Sequence, residues 1–166
     1  MYQNRSYQGY YYPYESMRQQ LVNRSTMNQG YVGAFQKVLD GIMRGIKGES
    51  QAIDFYKRLV EMAPDESSKE DVLHALADEE DHLRKFINLY IQLTGNQPVF
   101  RYEKKQFDSF EDGLLKAYND ELEAYEDYRN SYLLSNDQLI RDVFFHAMTD
   151  EIEHATRFGF HIGRLR

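Results

Sequence analysis

The nonapeptide HALADEEDH at residues 74–82 recurs as HAMTDEIEH at residues 146–154, with His, Ala, Asp, Glu and His at the same five places. The register extends well beyond the nonapeptide. A shift of 72 residues also lays Glu49 on Glu121, Ala52 on Ala124, Tyr56 on Tyr128, Asp65 on Asp137 and Phe86 on Phe158, with no gap. Such a duplication narrows the possible folds sharply. Two equivalent halves must pack about a pseudo-twofold axis, and the residues kept in both halves should meet near it.

Each half reads as a helical hairpin. Residues 33–62 carry Phe35, Val38, Leu39, Ile42, Ile46, Ile53, Tyr56, Leu59 and Val60 at helical spacing. Pro64 and Asp65 break the run, and Ser67 with Glu70 fits a capping box for a second helix over about 67–94, which Gly95 ends. Ser109 with Asp112 predicts the start of a third helix running to about 134, and Asn136 or Asp137 can cap a fourth reaching about 163. Gly45, Gly48 and Gly113 are the weak points, since glycine costs roughly 1 kcal/mol inside a helix. The first–second and third–fourth links are tight. The middle link, GNQPVFRYEKKQF at residues 95–107, is long. Its 13 residues can span about 43 Å, against about 37 Å for a 25-residue helix, so it can traverse the bundle. The expected fold is therefore all-α: a four-helix bundle of two duplicated hairpins with the long middle crossover of ferritin-like topology.

The repeat places charge where apolar residues belong. Ala75, Glu79, His82 and Phe86 are spaced i, i+4, i+7, i+11 along one inward stripe, and Ala147, Glu151, His154 and Phe158 repeat it. An unpaired buried carboxylate is very costly, and Glu49, Glu79, Glu121 and Glu151 converging on one core would repel each other. Two divalent cations would balance the four carboxylates, with His82 and His154 as neutral ligands. The spacing Glu-x-x-His lets both side chains of a pair reach one metal from a single helix turn. The expected metal ligands are thus Glu49, Glu79, His82, Glu121, Glu151 and His154, a Glu4His2 set. Oxygen and nitrogen donors without sulfur suit Fe or Mn better than structural zinc. A lone Glu-x-x-His is ordinarily a solvated surface pattern; two copies in register with two further glutamates are not.

Supporting residues repeat as well. Tyr56 and Tyr128 lie two turns after Glu49 and Glu121, and each can donate to a ligand carboxylate across the bundle. Asp78 and Asp150 precede Glu79 and Glu151, and each can accept from the histidine of the opposite hairpin, Asp78 from His154 and Asp150 from His82. His74 and His146 sit two turns before the histidine ligands, suited to packing or hydrogen bonding rather than ligation. Glu80, Asp81 and Glu153 read as a solvated face.

Composition removes several alternatives. There is no cysteine, so a disulfide framework, a thiolate zinc site and an iron–sulfur or rubredoxin-type centre are excluded for these residues. The formal charge is -7, a poor match to nucleic acid. No apolar run approaches a membrane span, and the opening residues lack a signal-peptide core. Residues 1–30, with Arg5, Arg18 and Arg24 against Glu15, are rich in Tyr and Gln and lack helical or strand periodicity. They read as an N-terminal appendage, either disordered or a partner-packing arm, ahead of a bundle domain over 31–166.

The six ligand positions, together with GESQA at residues 48–52, resemble the ferritin-like di-iron proteins and specifically the rubrerythrins, over about 33–163. The resemblance implies a redox reaction in which two irons reduce hydrogen peroxide or O2, as in a peroxidase or ferroxidase. Glu49, Glu79, Glu121 and Glu151 would be the carboxylates that shift as metal charge changes. It also implies a separate electron donor, oxidative-stress chemistry and a homo-oligomer, with a dimer favoured. Three departures stand out. The rubredoxin-type cysteines are missing. Ala124 occupies the place of a second third-helix glutamate. Glu80 stands where bacterioferritins carry the haem-binding Met, so no haem is expected. The Tyr/Gln composition of residues 1–30 is similar to that of spore-coat proteins. This leaves open a coat or assembly protein with a structural or relic di-metal site, beside an iron-storage ferritin and a di-manganese catalase. The expected location is the cytoplasm, with the spore coat as the alternative.

Overall fold

Four long helices carry the chain: α1 Gln29–Leu59, α2 Glu66–Thr94, α3 Phe110–Leu133 and α4 Gln138–Leu165. The structure is a computed structural model that describes residues 29–165. The tyrosine-rich appendage, for residues 1–28, lies outside the described residues, and with it the arm and coat readings. α1 starts at Gln29, before the expected position 33, and passes at its end into a 3-10 turn over Val60–Met62.

Capping residues set the boundaries. Ala63 is extended, with φ -61° and ψ 128°, as a residue before proline must be. The cap of α2 is Asp65, not Ser67: the Asp65 carboxylate accepts from Ser68 N at 2.8 Å. Ser67 falls inside the first turn, because a carboxylate two residues earlier already satisfies the free N–H group. Gly95 closes α2 in the left-handed conformation, φ 74°, which only glycine adopts without cost. At α3, Ser109 accepts from Asp112 N at 3.1 Å while the Asp112 carboxylate accepts from Asp108 N at 3.0 Å. Of the two candidate caps for α4, Asp137 serves, accepting from Ile140 N at 3.1 Å.

α1 packs on α2 and α3 on α4 as hairpins, and the hairpins meet through α1–α3 and α2–α4. Every neighbouring pair is antiparallel. Tyr56 faces Glu121 while Glu49 faces Tyr128, and His82 faces Asp150 while Asp78 faces His154. The crossover runs the length of the bundle. Phe100 packs with the core around Val38 and Phe144, and Phe107 lies 4.7 Å from the Phe55 ring near the other end. Arg58 secures it by donating to Lys105 O at 2.8 Å, with its guanidinium 4.9 Å from the Phe107 ring. This is the ferritin-like four-helix bundle.

Two apolar layers enclose a polar one. Val38, Ile42, Ile46, Phe86, Leu89 and Phe144 fill one end. Phe55, Leu59, Val72, Leu114 and Phe158 fill the other. Gly45 lets α1 approach the first layer closely: a Cβ there would meet the Phe86 ring at 3.0 Å, tighter than ordinary contact. At the far end a second polar network ties α2 to α4. His161 Nε2 lies 2.7 Å from Asp71 Oδ2, its Nδ1 lies 3.3 Å from Ser68 Oγ, and Arg157 donates to Asp71 at 2.5 Å. Burial would raise the Asp71 carboxyl, but His161 and Arg157 outweigh it and hold the group below the usual carboxylate range.

Candidate metal centre

The polar layer consists of the six residues that the repeat singles out. Glu49, Glu79, His82, Glu121, Glu151 and His154 are each no more than 3% exposed. They form two groups that could each hold a metal ion: Glu49, Glu79, His82 and Glu151, and Glu79, Glu121, Glu151 and His154. Within each group the donor atoms lie within 4.8 Å of one another. Glu79 and Glu151 belong to both groups, while Glu49 and Glu121 each belong to one.

The histidines point Nδ1 into the layer. His82 Nδ1 lies 3.3 Å from Glu79 Oε2 and 3.4 Å from Glu151 Oε1. His154 Nδ1 lies 3.3 Å from Glu151 Oε2, 3.4 Å from Glu79 Oε1 and 3.5 Å from Glu121 Oε1. The opposite ring nitrogens face aspartates: His82 Nε2 is 3.0 Å from Asp150 Oδ2, and His154 Nε2 is 3.1 Å from Asp78 Oδ2. Tyr128 Oη donates to Glu49 Oε1 at 2.5 Å, and Tyr56 Oη donates to Glu121 Oε1. All ten residues picked from the repeat are therefore brought together, in crosswise pairs between hairpins.

The electrostatics of the layer follow from its burial and its crowded carboxylates. Burial, then the charge of Glu79, pushes the Glu49 carboxyl well above its ordinary range; burial, then Glu151 and Glu79, does the same to Glu121. Burial also pushes Tyr56 and Tyr128 up, and the facing carboxylates add to it, so both phenols keep their protons. Burial would raise Glu79, but bonds from Glu49 and His82 and the nearby His154 ring outweigh it and hold it low. Burial would lower His82, yet its bonds to Asp150 and Glu79 and the nearby Glu151 carboxylate raise it far above the imidazole range; His154 is raised likewise by its bond to Asp78 and by the nearby carboxylates of Glu121, Glu151 and Glu79. Protons thus stand in for positive charge. Even so, Glu151 Oε1, Glu151 Oε2 and His154 Nδ1 are buried without any hydrogen-bond partner. Orphaned polar atoms of this kind carry a desolvation cost of about 1–3 kcal/mol each. All three belong to the groups of donors suited to a metal, so the residues present fit a pair of cations.

His74 and His146 stay outside the layer. His74 Nε2 lies 3.3 Å from Asp78 Oδ2 and 3.5 Å from Glu153 Oε1, with its ring edge-on to His154. His146 is exposed beside Phe145. Glu80, Asp81 and Glu153 pair at the surface with Lys57, Lys85 and Arg157. A cavity of about 560 Å³ opens between α1 and α3 and reaches Glu49, Glu79, Glu121 and Glu151 past Ala52 and Ala124. The Ser68–His161–Asp71 network escapes sequence reasoning, since Leu89 and Val143 stand at the equivalent places of His161 and Asp71 and leave no repeat to notice.

Fold and centre together define a ferritin-like bundle with a carboxylate–histidine site that could take two metals. The chain belongs to the rubrerythrin family, whose family model matches residues 40–161. It is 29% identical over 125 residues to the uncharacterized protein YhjR of Bacillus subtilis (strain 168), covering 75% of this chain and 86% of that protein. Two solved structures share the fold. The conserved hypothetical protein rv2844 from Mycobacterium tuberculosis is 18% identical with a TM-score of 0.69, over 78% of this chain and 93% of that one. The dodecameric thioferritin of Bacteroides fragilis, a bacterioferritin-related protein, is 15% identical with a TM-score of 0.69, over 78% and 86%. No helix among the described residues is long and apolar enough to cross a membrane.

Proposed function

We propose that the chain is a di-iron oxidoreductase that reduces hydrogen peroxide or O2. Glu49, Glu79, His82 and Glu151 would hold one iron and Glu79, Glu121, Glu151 and His154 the other. The observation that carries this reading is the sharing of Glu79 and Glu151 by both donor groups, with both Glu151 oxygens orphaned between them. When bound, two ferrous irons would supply the two electrons that turn one hydrogen peroxide and two protons into two waters.

The chain's own residues do the rest. Asp78 and Asp150 hold the Nε2 protons of His154 and His82, which leaves each Nδ1 lone pair free to face inward. Tyr56 and Tyr128 keep their protons and donate to Glu121 and Glu49, which fixes the orientation of each carboxylate. Phe86, Phe158 and the apolar layers around them keep water out above and below. The cavity beside Ala52 and Ala124 gives a small oxidant its way in. Re-reduction would come from an electron donor outside these residues, or from incoming Fe(II) in a ferroxidase cycle.

The test is elemental analysis of protein from iron- and manganese-supplemented medium, then rapid mixing of Fe(II)-loaded protein with peroxide and with O2. The expected result is about two Fe per chain, as the two donor groups require, and rapid oxidation by at least one oxidant. A loaded protein inert to both overturns the proposal; two Mn redirects it to catalase chemistry. Iron storage is the second reading, favoured by the dodecameric assembly named for the Bacteroides fragilis relative. A small assembly by light scattering removes it.

A further inference from the structure

Along the outer face of α4, Phe145, Thr149, Ile152, Thr156 and Phe160 form one stripe with spacings of 4, 3, 4 and 4 residues. None is charged, and Phe145, Ile152 and Phe160 are 46%, 41% and 62% exposed. The duplication supplies an internal control. The equivalent positions on α2 are Leu73, Ala77, Glu80, Arg84 and Asn88, an ordinary solvated face on which Glu80 pairs with Lys57 at 2.8 Å. The same helix position in the same bundle therefore tolerates charge, and α4 has none there. A contiguous uncharged stripe about 22 Å long is the kind of surface that marks an interaction site.

The order of the stripe identifies what covers it. Phe-Thr-Ile-Thr-Phe reads the same in both directions, and Phe145 and Phe160 flank Ile152 at nearly equal distance. Laid antiparallel on a second copy, this face sets like against like about a two-fold axis, the residue pairing of an isologous contact. The ends agree with this. Asp142 lies one turn before Phe145 and Arg164 one turn after Phe160, both exposed, so antiparallel pairing sets opposite charges together at each end.

We propose that this face joins two copies of the chain through an antiparallel α4–α4 contact, with the two-fold axis beside Ile152. Phe145 packs against the partner's Phe160, Thr149 against the partner's Thr156, and Asp142 meets the partner's Arg164. The centre lies on α4's opposite, inner face, so the inference stands whichever metal chemistry the centre performs.

The experiment is sedimentation velocity of the full chain beside Ile152→Glu, with helicity and melting temperature as fold controls. The expected result is a dimer whose dissociation constant rises by about a hundredfold in Ile152→Glu, because the substitution places two carboxylates face to face at the axis. The chain has no cysteine, so a single introduced thiol gives an independent readout. Ile152→Cys should form a disulfide-linked dimer on mild oxidation, and Glu80→Cys, its internal equivalent, should not. A monomeric parent chain, a dimer indifferent to Ile152→Glu, or equal cross-linking through position 80 overturns the proposal. A monomer would leave the stripe to another occupant, residues 1–28 or a different protein.

Discussion

The two hairpins of this bundle agree around the polar layer and disagree on their outer faces. Across the 72-residue repeat, the positions in and beside the polar layer hold the same residue: Glu49 and Glu121, Tyr56 and Tyr128, Glu79 and Glu151, His82 and His154, Phe86 and Phe158. The outward positions have drifted, most plainly where Glu80 on α2 faces water and its counterpart Ile152 on α4 is part of an apolar stripe. Each inward residue meets its counterpart's neighbour, as Tyr56 meets Glu121 and Tyr128 meets Glu49. A change on one side would orphan a buried group on the other. Outward residues meet water and carry no such mutual constraint, so the difference maps where interactions hold the sequence fixed.

The largest effects come from breaking this symmetry at the shared carboxylates. Glu79→Ala/Glu151→Ala should take metal content from about two per chain to near zero, because each donor group loses two of its four ligands. Glu49→Ala and Glu121→Ala remove a ligand from one group each, so each should leave about one tightly held metal. Elemental analysis of all three after dialysis decides it. Equal losses in every variant would mean that the two positions fill only together.

Removing the metals should reverse the response to pH. Glu49, Glu121, His82 and His154 all have their proton-holding forms favoured by the fold. Each group therefore contributes stability to the metal-free protein that is fully present below its unfolded pKa and is lost as pH rises toward the raised folded value. The unfolded values are about 4.3 for Glu and 6.5 for His, so the histidine share governs the neutral range. Metal-free protein should melt at a lower temperature at pH 8.5 than at pH 6. Metal binding displaces the same protons, so the loaded protein should gain over that interval. Parallel melting curves of the two forms would show that the protons are not exchanged for metal.

Bundle, crossover and polar layer were all legible in the sequence, for one physical reason: glutamate and histidine on a helix's inward stripe contradict burial, and the repeat shows the contradiction twice. What stayed hidden lacked a repeat or a unique local signal. Asp65 and Ser67 can both cap a helix, and only the observed bond to Ser68 N selects Asp65. The Ser68–His161–Asp71 network joins residues 93 positions apart whose equivalents in the other half are different. Arg58 spans to Lys105 O across the crossover, a long-range contact that no periodicity encodes. The stripe of α4 could be written down from the sequence, but its exposure could not.

A smaller effect tests the apolar layers. Phe86 and Phe158 are both fully buried, and each packs its ring against a repeat-related tyrosine, Phe86 on Tyr128 at 5.2 Å and Phe158 edge-on to Tyr56 at 5.7 Å. Truncation to Ala should cost about 3–5 kcal/mol in either case, lowering the melting temperature by about 10 °C. Phe86 also touches Phe144 at 5.2 Å, where the equivalent of Phe144 is Val72. Phe86→Ala should therefore be the costlier of the two. The reverse order, in denaturant melts, would place the tighter layer at the Phe158 end.

The smallest effect is the most local. Tyr56→Phe and Tyr128→Phe keep the ring and remove one hydroxyl, leaving Glu121 Oε1 and Glu49 Oε1 each without the phenolic donor. Such a loss costs roughly 1 kcal/mol in stability, well below the phenylalanine truncations. Its effect on metal affinity is larger in proportion, about tenfold per tyrosine, because each ligand carboxylate is freed to rotate. If the two halves are equivalent, Tyr56→Phe should weaken the metal held with Glu121 and Tyr128→Phe the metal held with Glu49, by similar factors. Competition titration with a chelator reads both. A tyrosine whose loss weakens neither metal would be holding the helices together rather than the centre, and the inward agreement of the hairpins at that pair would then reflect packing alone.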